Sequence, residues 1–225
     1  MIKKLLSIAL FAALLLPMNI QGQTITSFPY TPCFSDSLAP GWSTVDADGD
    51  GHTWNHLIIS GNVAPALGCW ISSASYMGGA GALTPDNWLV SPPIVVNDQL
   101  ILSWQHRAQN ANFFAEHYAV YVSTTGADTA AFLSLVPLYE TTLTAADAAD
   151  WVEHQVSLAA YLGDTVRLAF RHFNCHDMWH FYIDGVTIMN PFSPVISMEG
   201  QSSAVTNVNY RYMVSLLRGS TTGLT

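Results

Sequence analysis

Leu100-Ile101-Leu102-Ser103-Trp104-Gln105-His106 repeats with a period of two. Leu100, Leu102, Trp104 and His106 fall on one face, and Ile101, Ser103 and Gln105 on the other. Side chains of an extended chain alternate in this way, so the stretch is read as a strand with one face in a core. The same alternation returns outward along the chain: Tyr118, Val120 and Val122 against His117, Ala119 and Tyr121; Val166, Leu168 and Phe170 against Arg167, Ala169 and Arg171; Phe181 and Ile183 against Tyr182, Asp184 and Val186. Turn chemistry separates these runs, as at Asp48-Gly49-Asp50-Gly51, Thr84-Pro85-Asp86-Asn87, Ser91-Pro92-Pro93 and Leu162-Gly163-Asp164. Only Thr144–Trp151 suggests a helical turn. Many short strands with frequent turns predict an all-β chain, folded as a jelly-roll-like antiparallel β-sandwich.

The first 22 residues carry both lysines, Lys3 and Lys4, then an apolar run from Leu5 to Leu16 and a polar exit at Asn19–Gly22. That pattern predicts a signal peptide over 1–22, and hence a secreted or cell-surface protein with no membrane insertion after cleavage. A run of this length falls short of the roughly 20 residues that a membrane-spanning helix needs. The remainder has no lysine and five arginines against 16 acidic residues. Such a balance excludes nucleic acid as a partner and disfavours anionic lipid. Half the residues are apolar and 10% are charged, which excludes a disordered or coiled-coil chain. The β-sandwich is expected over 24–191. Two prolines at Pro191 and Pro194 mark a boundary, and 192–225 reads as a linker and the truncated start of a further β-domain. Cys33, Cys69 and Cys175 allow three pairings with one thiol left over, or no disulfide at all.

The most concentrated chemistry is Asp46-Ala47-Asp48-Gly49-Asp50-Gly51. Alternate carboxylates with glycine at the sixth place resemble the opening of an EF-hand loop. Position twelve is Leu57 rather than a bidentate Glu, and Trp54–Ser60 reads as strand, so an EF-hand is rejected. Three like charges in five residues still favour Ca²⁺, with carboxylates from elsewhere completing the shell; a solvated polar turn is the alternative. His172, His176 and His180 would share one face of a helix and could hold zinc. Val166–Phe173 has strand period, however, and Asn174–Asp177 reads as a loop, so zinc is not expected. Glu116-His117 could be an acid/base pair or part of a metal shell. There is no Gly-x-Ser-x-Gly elbow, and the chain is not expected to be an enzyme.

Seven segments in order carry a family resemblance: Gly41-Trp42, Val45–Gly51 with Trp54, Ser72–Tyr76, Thr84–Pro92, Glu116–Gly126, Val166–Asp177 and Ile183–Ile188. Together they resemble the cleaved adhesin domain, the haemagglutinin/adhesin module of the gingipain proteases. The resemblance implies a β-sandwich with structural Ca²⁺, appended to secreted or surface proteins of anaerobic bacteria. It also implies a non-catalytic module that adheres to host proteins, haem-proteins or glycans and sits among further domains of a parent protein. On matching positions, Asp46, Asp48 and Asp50 would be calcium ligands with Asp184 reaching in from the last strand. Glu116, with Asn110 and Asn112 nearby, would serve a second site. Two departures stand out: Gly185 replaces the second acid of the last-strand motif, and Ser35 precedes Asp36 where family members often carry Glu. A second reading is a carbohydrate-binding accessory module of a secreted peptidase or hydrolase, with exposed aromatics drawn from Trp54, Trp70, Trp88 and Trp179.

Overall fold

A computed structural model describes residues 23–56, 67–191, 195–199 and 213–217. Its strands in chain order are β1 (Ser43–Asp46), β2 (Ile71–Ala74), β3 (Tyr76–Met77), β4 (Gly81–Ala82), β5 (Asn87–Val90), β6 (Ile94–Val95) and β7 (Ile101–Ala108). There follow β8 (His117–Ser123), β9 (Tyr139–Thr142), β10 (Val152–Ser157), β11 (Thr165–His172), β12 (His180–Met189), β13 (Val195–Glu199) and β14 (Met213–Leu217). A short helix, α1 (Thr129–Leu133), lies between β8 and β9. One antiparallel sheet runs β1-β5-β11-β8-β9, with β6 on the end of β11; the other runs β10-β7-β12-β2. The two sheets form the jelly-roll-like sandwich that the period-two pattern predicts. Among the described residues no helix is long and apolar enough to cross a membrane.

The layer between the sheets is built from the residues that alternation places inward. Leu102, Trp104 and Ile183 from one sheet meet Val120, Leu168 and Phe170 from the other, all fully buried in one cluster. A one-residue slip of any strand would turn its whole apolar set to water, so burial fixes the register.

Three local features differ from the sequence reading. Alternation turns one face of β8 to the core and the other to water, yet β8 is buried on both faces. Ala119 and Tyr121 join Trp88, Val90, Ala169 and Phe132 in a second cluster, where Phe132 of α1 stacks on Trp88 at 5.8 Å. Asp128 caps α1 by accepting from the Ala131 N–H at 2.8 Å. In β12, Val186 does not follow Tyr182 and Asp184 outward. Gly185, at φ +61°, shifts the register against β7 and returns Val186 and Ile188 to the central core. Trp54–Ser60 is not a regular strand where it is described. Asn55 forms an isolated bridge with Ser72, and residues 57–60 lie outside the described residues. The helical turn near Thr144 is a short 3-10 helix, Ala145–Ala148, capped by Thr144 and Asp147.

The chain enters the sandwich at Ile25, bonded to Pro93 and Val95 beside β6, and then runs along β12, with Tyr30 and Ile188 exchanging both backbone hydrogen bonds at 2.8 and 2.9 Å. Of the three possible cysteine pairings, the structure has Cys33–Cys69, and Cys175 is a buried free thiol. The expected signal peptide lies outside the described residues. So does most of 192–225, of which β13 and β14 pair with each other.

Candidate functional site

The acidic loop is an extension of β1. Asp46 ends the strand, and its two oxygens accept from the N–H groups of Gly49 and Gly51, both at 2.8 Å. Both glycines hold positive φ, +75° and +84°, which lets the chain fold back on one carboxylate. Asp50 accepts from the His52 N–H at 2.7 Å. One oxygen from each of Asp46, Asp48 and Asp50 lies within 4.8 Å of the others. Burial, then Asp46 beside it, pushes the Asp48 carboxyl up, while the amides of Gly51 and Gly49 outweigh Asp46's own burial and hold it low. Charge of one sign is thus concentrated in an exposed turn, and a shared proton or a bound cation relieves it.

Asp184 does not join this loop. It is fully buried; Oδ2 accepts from the Leu67 N–H at 2.8 Å, and Oδ1 from the N–H groups of Cys69 at 3.1 Å and Gly185 at 2.7 Å. Asp184 thus grips the backbone beside the disulfide, and its oxygens are bonded to amides.

Glu116 and Asn110, expected to serve one second site with Asn112 nearby, each have hydrogen-bond partners of their own. Asn110 accepts from the Asn112 N–H at 2.8 Å and closes its own turn. Glu116 lies fully buried at the start of β8, with Oε2 3.0 Å from His172 Nε2 and Oε1 accepting from the Trp179 N–H at 3.0 Å. Cys175 Sγ lies 3.2 Å from the same Nε2. His172 Nδ1 meets Ser73 Oγ at 2.8 Å, and Ser73 also accepts from Asn87. Burial alone would lower His172, but Cys175 and Glu116 against it push it up to about 10. The trio is not a nucleophile–base–acid relay, because thiol and carboxylate face one ring nitrogen instead of opposite ones. His176 and His180 stand apart from it in hydrogen bonding. His176 is exposed and meets Thr84 and Leu83, whereas His180 is buried in β12 with Nδ1 unpartnered.

Above this buried trio lies a loop surface. Asp177 and Met178 donate to the Ser75 carbonyl and hydroxyl, Ser75 and Tyr76 donate to the Trp179 carbonyl, and Glu116 holds the Trp179 N–H. Trp179 is thereby stacked on Tyr76 at 4.8 Å and 15°, with Phe113 6.5 Å away and 46% exposed. Of the four tryptophans weighed as a platform, Trp54 and Trp88 are buried core, and half-buried Trp70 packs between His56 and Tyr182. In the sequence Tyr76 enters only as the end of the Ser72–Tyr76 family segment, and nothing but its place beside asparagine turns sets Phe113 apart.

The chain is similar to known proteins in sequence and in fold. The family model for the Cleaved Adhesin Domain matches residues 30–188. The chain is 37% identical over 172 residues to Gingipain R1 of Porphyromonas gingivalis, covering 69% of this chain and 10% of that protein. It is 35% identical over 175 residues to Hemagglutinin A of the same species, covering 72% of this chain and 8% of the relative. The chain therefore spans about a tenth of the length of the curated relatives it matches. The K1 cleaved adhesin domain of Lys-gingipain from that organism superposes with a TM-score of 0.62 at 36% identity, covering 73% of this chain and 99% of that domain. The K3 domain gives 0.61 at 35%, covering 71% and 96%.

Proposed function

Since the chain belongs to the cleaved adhesin domain family, we propose that it is a calcium-stabilised, non-catalytic adhesion module of a secreted or cell-surface protein, set among further domains and binding host proteins or glycans. The observation that carries the adhesive reading is the aromatic surface of Tyr76, Trp179 and Phe113. Large rings supply contact area at small entropic cost, and the clamps from Ser75 and Glu116 organise the half-buried Tyr76–Trp179 pair, beside exposed Phe113, before any partner arrives. Phe113→Ala removes exposed surface without opening the core. It is expected to weaken capture of host glycoproteins at least about tenfold, with an unchanged melting midpoint. Equal capture by wild type and variant on an array of host proteins and glycans would sink this assignment of the surface. Binding confined to glycans on that array would favour the carbohydrate-binding accessory module.

Support for calcium comes from the convergence of Asp46, Asp48 and Asp50. Ca²⁺ requires six to eight oxygens, so backbone carbonyls and water would supply what three carboxylates leave open. Calcium at a hundred times its dissociation constant should add about 2.7 kcal/mol to stability. Asp48→Ala should remove most of that gain, whereas Asp128→Ala should lose a helix cap and keep the calcium response. Identical wild-type midpoints in calcium and in chelator would reduce the loop to a solvated turn.

A further inference from the structure

The buried trio has an unresolved demand. A ring nitrogen bonds along one in-plane direction, yet two groups, Glu116 Oε2 and Cys175 Sγ, lie 3.0 and 3.2 Å from His172 Nε2. A proton there points well at only one of them. A cation on the same direction is ligated by all three, and the ligand atoms already lie within 4.8 Å of one another. Zinc bonds of about 2.0 Å to nitrogen and oxygen and 2.3 Å to sulfur put tetrahedral neighbours roughly 3.3–3.5 Å apart, a few tenths of an ångström beyond the two distances from His172 Nε2.

We propose that Glu116, His172 and Cys175 form a buried site for a zinc-class divalent metal. The donor set selects the metal: a thiolate and an imidazole with one carboxylate suit Zn²⁺ and exclude Ca²⁺, which takes oxygen. Ser73 stands where an orienting partner belongs, holding Nδ1 so that Nε2 faces inward, and Asn87 fixes Ser73 in turn. Glu116 Oε1 stays with the Trp179 N–H, so the carboxylate binds through Oε2 alone. Metal entry displaces the proton on Nε2 and the thiol proton to solvent, and thiolate and carboxylate then neutralise the charge of the Zn²⁺. The trio joins the start of β8, the end of β11 and the loop that presents Trp179. Metal there would fix that loop independently of the acidic turn.

Full-length protein refolded with and without Zn²⁺, in calcium-containing buffer, is assayed for bound metal, and Co²⁺ serves as an optical probe. One metal per chain is expected, with tetrahedral ligand-field bands and a near-ultraviolet thiolate-to-cobalt band. Cys175→Ser should abolish the thiolate band. Ser73→Ala should keep it while weakening affinity about 10–100-fold. Asp48→Ala should leave it intact even if calcium no longer stabilises the chain, which separates this site from the acidic loop. Wild-type protein that folds under both conditions with neither bound zinc nor a thiolate band overturns the proposal. That outcome stands whether or not the variants fold.

Discussion

His154 shows how one ring can set acid sensitivity. It projects from β10 onto Trp104, at 5.5 Å, and lies 4.3 Å from the ring of His106. His106 is held by the Tyr118 hydroxyl at 2.8 Å and by Asp147 at 3.1 Å, and Tyr118 accepts from Trp104 Nε1 at 2.8 Å. Burial, then the neighbouring His106, pushes His154 down to about 4. The unfolded chain therefore takes up a proton near pH 6.5 that the folded chain refuses. Stability from this group is complete above that pH and is lost as pH falls through the window down to about 4. Allowing for the ring's partial exposure, the loss is about 1–2 kcal/mol. Buried His180, also pushed down to about 4, adds to the decline over the same window. His154→Gln should flatten part of the fall in melting midpoint between pH 7 and 4.5; an unchanged slope would remove His154 from the account.

Among the elements, β12 depends most on a single position. Gly185 at φ +61° provides the bulge that returns Val186 and Ile188 to the core. Alanine there would place Cβ 2.7 Å from Leu67 Cδ1, but Leu67 is 66% exposed and its end can move, so backbone strain dominates. Gly185→Ala should cost about 1–2 kcal/mol, while Gly126→Ala, which meets only ordinary contacts, should stay within about 0.5 kcal/mol of wild type. Chemical denaturation of both variants checks this. The bulge also shows where a sequence pattern stops being informative. Strands β7, β8 and β11 were legible because strict alternation survives along them. Strict alternation sends Val186 to the wrong face because one glycine resets it, and the five residues of α1 are too few to display a helical period. The candidate site divides in the same way. Asp46, Asp48 and Asp50 are neighbours in the chain and visible as a motif, whereas Glu116, His172 and Cys175 meet only through the β8–β11 pairing.

At the scale of the molecule, the Cys33–Cys69 bond ties the entering segment to the segment before β2, and Asp184 of β12 holds the same place through the Leu67 and Cys69 amides. Closing a loop with a sequence separation of 36 should contribute roughly 4 kcal/mol through the unfolded state. Urea titration of the Cys33→Ser/Cys69→Ser variant should show a loss of that order; a loss under about 1 kcal/mol would mean that Asp184 secures the segment alone. The same bond decides what happens when the module is pulled. Tension applied at the two ends meets first Ile25, bridged in parallel to Ile94, and then Tyr30 paired antiparallel with Ile188, a geometry that peels open one hydrogen bond at a time. The load then reaches Cys33 and crosses through sulfur to Cys69, bypassing the intervening chain. Roughly 120 Å of extensible length, at 3.3–3.6 Å per residue, is thereby withheld from stretching while the bond is oxidised. A tether made of such modules would be short and stiff in an oxidising medium, and would lengthen when a reductant reached it.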